Sequence, residues 1–137
     1  MERISASEVG LFELPRFNDE RGNLSFLEEG NLIPFPIQRI YWIYDVPGGQ
    51  YRGGHAYKQL KEVIIALSGS FDVIVNDGET EEKYQLNRSY KALFIDKLVW
   101  RKLENFSTNA LCLIIASEEY NEKDYIRSFD EFLKLKQ

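Results

Sequence analysis

The chain carries one histidine, His55, in the run Arg52-Gly53-Gly54-His55-Ala56-Tyr57. Imidazole titrates near neutrality, so it is the side chain best suited to take and return a proton at physiological pH. With one histidine and one cysteine, Cys112, a metal centre built from several His or Cys ligands is excluded. If the run is a strand, residues two apart point the same way, and His55 and Tyr57 face one space. A phenol there can hydrogen-bond or relay a proton between neighbouring oxygens. Its ordinary pKa of about 10 makes it a poorer base than imidazole. Arg39 and Tyr41 share a face of another run in the same way. Each of these residues also has a plainer reading, because a lone strand histidine is often structural and an isolated arginine is often a surface charge.

The elements that must position these groups are short β runs. Arg39–Val46 is rich in aromatic and β-branched residues and reads as a strand. Asn23–Glu28, Glu62–Leu67, Phe71–Asn76, Glu82–Leu86, Lys91–Ile95, Val99–Leu103 and Ala110–Ala116 complete the series. Ser68-Gly69-Ser70 and Asn76-Asp77-Gly78 read as hairpin turns. The four prolines, Pro15, Pro34, Pro36 and Pro47, punctuate the first third. Strands at this spacing predict an all-β sandwich or barrel. Helical spacing occurs only at the end, over Glu118–Arg127 and Phe129–Lys136, which predicts a short C-terminal helical segment.

Composition narrows the function. The 137 residues allow one domain, spanning 1–137, and 44% hydrophobic residues supply one core. A net charge of -5 argues against nucleic-acid binding. No run approaches the roughly 20 apolar residues of a membrane helix. The first ten residues hold no apolar leader, so a cytoplasmic location is expected.

The segment Gly49–Gly69 resembles the first cupin motif, with Gly49, His55, Glu62 and Gly69 at the expected spacing and Tyr57 where a second histidine usually stands. The second cupin motif falls on Arg101–Asn105, with Arg101 in the histidine position. The resemblance implies a cupin jelly roll with two of the four usual metal ligands replaced. His55 and Glu62 rarely suffice to hold a transition metal, which commonly takes about three protein ligands. Arg101 would repel one, so no metal and no cofactor is expected. Glu62 reads instead as a pocket hydrogen-bonding residue.

The strings DERGNLSFLE, PFPIQRIYWIYDVPGG, RGGHAYK and DYIRSFDEFL are similar to those of the nucleotide-sugar 3,4-ketoisomerase family, from about Phe17 to Leu133. This implies an isomerase that moves the keto group of a dTDP-4-keto-6-deoxyhexose from C4 to C3 through an enediolate, in deoxyaminosugar and surface polysaccharide synthesis. It implies His55 as base, with Tyr57 and Tyr41 as catalytic partners. It also implies substrate contacts from Arg21, Arg39, Arg52, Lys58, Trp100 and Arg101. The arginines suit phosphate oxygens, and Tyr41 or Trp100 suit stacking on the base or sugar. A homodimer is implied too, with the aromatic strand Arg39–Asp45 at the interface. A non-catalytic sugar-nucleotide-binding cupin, or an epimerase-like cupin on the same substrate class, fits the same residues.

Overall fold

A computed structural model of the chain describes residues 9–137. The reading of the first ten residues as lacking a leader falls largely outside them. The described chain forms β1 (Val9–Glu13), β2 (Arg16–Asp19), β3 (Gly22–Ser25), β4 (Arg39–Ile43), β5 (Arg52–Tyr57) and β6 (Glu62–Ser68). There follow β7 (Phe71–Asn76), β8 (Glu81–Leu86), β9 (Lys91–Ile95), β10 (Trp100–Glu104), β11 (Leu111–Ala116), β12 (Tyr125–Ile126) and one helix, α1 (Phe129–Lys136). Two five-stranded sheets form, in the orders β1-β9-β6-β11-β4 and β12-β5-β10-β7-β8, and β2 with β3 makes a separate hairpin. This is the all-β cupin jelly roll expected. No described helix is long and apolar enough to cross a membrane.

Alternation along β6 explains how the layers pack. Ile64 and Ala66 point between the sheets, where they meet Phe71, Val73, Leu93, Leu103, Cys112 and Ile114. Val63 and Ile65 point the other way, under Phe12, Ile33, Phe35 and Phe94. Val63–Ala66 of β6 are therefore covered on both faces, which is why this stretch reads as an unbroken apolar run. Burial pushes the Cys112 thiol up to about 12, leaving it inert in the core.

Several local expectations change. Strand β4 ends at Ile43, because Asp45 takes a left-handed backbone (φ 56°) before Pro47. Ser68-Gly69-Ser70 is not a hairpin tip. β6 pairs with β9 and β11, and β7 pairs with β8 and β10, so the turn carries the chain from one sheet to the other. Gly69 (φ +66°) passes so close to the Ala110 backbone that a Cβ would collide with it. The Asp77-Gly78 turn does join a hairpin, β7 to β8, and Asp77 Oδ1 caps the Glu79 and Thr80 amides.

The stretch Glu118–Arg127 is not a helix. It holds a single 3-10 turn, Glu122–Asp124, and then β12, which pairs with β5. Helix α1 starts where Ser128 Oγ accepts a hydrogen bond from the Glu131 amide. Phe132 is buried against Ala56 and Ile126, fixing the helix on the outer face of β5.

Candidate active site

Strand β5 places His55 and Tyr57 on its inner face and Ala56 on its outer face, under α1. Arg101 of β10 lies directly across the ladder from His55, and Tyr125 of β12 directly across from Tyr57. Tyr41 comes from β4 in the opposite sheet. Together with Arg52, Gly53, Tyr51, Ile43 and Arg127 they line a cavity of about 420 Å³.

The floor is a buried ion pair. Arg101 Nε donates to Glu62 Oε2 at 2.9 Å and Nη2 to Glu62 Oε1 at 3.0 Å. Nη2 also donates to the Tyr41 hydroxyl at 3.2 Å, and Nη1 to the Gly53 carbonyl at 3.3 Å. Both residues are only 1% exposed. Burial alone would disfavour the guanidinium charge, but Glu62 and the phenols around it hold Arg101 firmly protonated. A Cβ on Gly53 (φ +70°) would overlap Nη1 of Arg101, so this glycine is required for the guanidinium to sit there.

Above the floor, His55 Nε2 lies 2.9 Å from the Tyr57 hydroxyl. The ring of Tyr125 stands 5.0 Å from that of His55 and 4.8 Å from that of Tyr57, completing an aromatic triangle. Burial first, and then the charges of Arg101 and Arg127, pull the His55 pKa down to about 2. The imidazole is therefore neutral at working pH and able to accept a proton. Burial and the Glu62 carboxylate push the Tyr57 phenol well up, and burial raises Tyr41, so both remain protonated donors.

His55, Tyr57, Tyr41, Arg52 and Arg101 thus converge on one cavity. Arg39 stands next to it, with its Cζ 4.9 Å from the Tyr41 ring centroid. Three expected residues lie elsewhere. Trp100 neighbours Arg101 on β10, so it faces outward, its ring 5.3 Å from Phe129 and 5.9 Å from Phe132. Lys58 follows Tyr57 and is exposed outside the cavity. Arg21 sits at the tip of the β2–β3 hairpin, paired with Asp19 at 2.7 Å and fully open to solvent. Tyr125 and Arg127 line the cavity although sequence reasoning gave them no role. The Ser128-x-x-Glu131 cap was the available signal, because it starts the helix after them and frees the preceding residues for an extended strand.

The usual cupin metal position does not fit a cation here. Both oxygens of Glu62 are taken by Arg101, whose own charge fills the space. Among the described residues no three His, Cys, Asp or Glu side chains converge.

The chain is similar along almost its whole length to known proteins. Residues 7–137 match the family described as FdtA, WxcM-like, C-terminal. A TDP-4-oxo-6-deoxy-alpha-D-glucose-3,4-oxoisomerase from Aneurinibacillus thermoaerophilus is 40% identical over 116 residues, which cover 85% of this chain and 84% of that protein. A 3,4-ketoisomerase structure from Helicobacter canadensis is 44% identical, with a TM-score of 0.91, covering 93% of this chain and 96% of that one. A mutant of the 3,4-ketoisomerase QdtA from Thermoanaerobacterium thermosaccharolyticum, in complex with TDP-4-keto-6-deoxyglucose, is 34% identical with a TM-score of 0.91 over 93% of each chain. The jelly roll, its inward-facing histidine and these relatives agree, and the chain belongs to the FdtA, WxcM-like family.

Proposed function

We propose that the protein is a 3,4-ketoisomerase acting on a dTDP-linked 4-keto-6-deoxyhexose. The observation that carries this reading is His55 inside the cavity, across the ladder from Arg101 and with its Nε2 2.9 Å from the Tyr57 hydroxyl. The ketone at C4 acidifies the C3–H bond, and His55 removes that proton. The C3–C4 bond gains double-bond character and negative charge collects on O4 as an enediolate. That anion offsets the charge placed on the imidazole, raising its basicity as the proton arrives.

Tyr57 and Tyr41 supply hydrogen-bond donors to the developing oxyanion. Tyr41 accepts from Arg101 Nη2, and the guanidinium strengthens its hydroxyl as a donor. The proton returns to C4, and the proton on O3 passes to O4, with Tyr57 bridging. The product has its carbonyl at C3 and a hydroxyl at C4, with no net oxidation. Arg39 and Arg52 are the proposed phosphate contacts. Incubation with dTDP-4-keto-6-deoxyglucose, followed by NMR, tests the activity; a 3-keto product supports it, and unchanged substrate overturns it.

A homodimer belongs to the same proposal. Strand β4 is an edge strand whose outward residues Ile40 and Trp42, with Tyr44 just beyond its end, are all more than half exposed. The β2–β3 hairpin is exposed along both strands and leaves the cross-strand pair Phe17 and Leu24 uncovered. A two-stranded hairpin of this kind is marginal alone. A second copy of the chain covers both surfaces, and Arg21 on that hairpin contacts substrate within such a dimer. A cytoplasmic setting is supported by the unpaired, buried Cys112.

A further inference from the structure

Two guanidinium groups stand in opposite states, Arg127 in the lining of the cavity and Arg39 beside it against the Tyr41 ring. Arg39 has no counter-charge among the described residues. Its Nε and Nη2 are buried without a hydrogen-bond partner. The rings of Tyr41 and Tyr120 hold it, with Cζ 4.9 Å and 5.6 Å from their centroids. A buried charged donor left unpaired is unfavourable, so this position suits an anion arriving from outside.

Arg127 is occupied. It rests on the Tyr125 ring, 4.3 Å away, and lines the cavity with His55. Its Nε donates to Glu122 Oε1 at 2.8 Å and its Nη2 to Glu122 Oε2 at 3.0 Å. The Tyr120 hydroxyl donates to Glu122 Oε2 at 2.6 Å. Glu122 therefore ties the ring that covers Arg39 to the second guanidinium. The Arg127–Glu122 pair is more than half exposed, at 57% and 58% of the side chains, and such pairs are weak and readily exchanged. A phosphate offers the same guanidinium fork more oxygens and more charge.

Resting on the substrate class proposed above, we propose that Arg39 and Arg127 together grip the diphosphate of a nucleotide ligand, and that Glu122 is a built-in stand-in that holds Arg127 until phosphate displaces it. Glu122 then opposes binding, while keeping the empty site's second cation oriented toward the cavity.

Calorimetry with dTDP on the full chain tests this, using Glu122→Gln, Arg127→Gln and the double variant, each checked for an unchanged melting temperature. Glu122→Gln should tighten dTDP by about threefold or more, because the competing charge is gone. Arg127→Gln should weaken it by about tenfold or more. The double variant should show no gain over Arg127→Gln alone, because Glu122 acts only through Arg127. If wild type binds dTDP but Glu122→Gln does not tighten it, Arg127→Gln does not weaken it, or the Glu122 gain persists without Arg127, the exchange is overturned and the substrate reading stands. If wild type does not bind dTDP, the substrate reading fails and the exchange fails with it.

Discussion

The hydroxyl of Tyr57 lies 2.9 Å from Nε2 of His55 inside the barrel, and His55 faces the buried Arg101 across the ladder. The one imidazole of the chain is thereby fixed in orientation by a phenol that stays protonated. Tyr57→Phe keeps the ring and removes this bond and the bridging proton. The expected result is a loss in kcat of about a hundredfold with KM little changed, measured by steady-state kinetics. A fall confined to KM would assign Tyr57 to binding instead.

The depressed pKa of His55 makes a prediction about stability. The imidazole is neutral in the folded protein down to about pH 2, but takes a proton near 6.5 when unfolded. Below pH 6.5 the unfolded state binds the extra proton, so stability drops as pH drops and is regained as pH rises. Between pH 7.5 and 5.0, wild type should lose about 2 kcal/mol more than His55→Asn, which has no such group. Urea unfolding of both proteins at the two pH values measures this. Equal losses would contradict it.

Arg101 and Glu62 should show strong coupling. Arg101→Met leaves a buried carboxylate without its partner and should destabilise the fold by about 3–5 kcal/mol. Glu62→Leu combined with Arg101→Met removes both charges and should recover much of that loss. Turnover should not recover, because Tyr41 loses its charged donor. Chemical denaturation and product assays on the two variants separate the two effects.

The dimer proposal rests on Trp42 among the exposed residues of β4. Trp42→Glu places a charge at the centre of that surface and should shift the protein from dimer to monomer in analytical ultracentrifugation. An unchanged sedimentation coefficient would move the interface elsewhere.

Much of the site was legible in the sequence because β alternation is strict. The spacing of His55 and Tyr57 places both on one inner face, and Arg101 does fall beside them. The same rule, applied to Trp100, turns it outward as the immediate neighbour of inward Arg101, while Lys58 lies past the end of β5 and is exposed. Arg21 was harder to place, because nothing in its own strand pattern shows that the hairpin stands away from the barrel. The stretch 118–127 carries apolar residues at helical spacing, but pairing of Tyr125 and Ile126 with β5 wins over that periodicity. That pairing brings Tyr125 and Arg127 to the cavity, a long-range consequence that local pattern does not contain. The β6–β7 turn likewise depends on which strands each side pairs with, not on its own residues.

In the proposed reaction His55 moves a proton at C3 of a 4-keto sugar. The direct measurement is NMR of dTDP-4-keto-6-deoxyglucose incubated in D2O with wild type and with His55→Asn. Wild type should give a 3-keto product carrying deuterium at C4, with deuterium at C3 in recovered substrate, and His55→Asn should give neither. Absence of exchange and product with wild type, or equal exchange with His55→Asn, would contradict it.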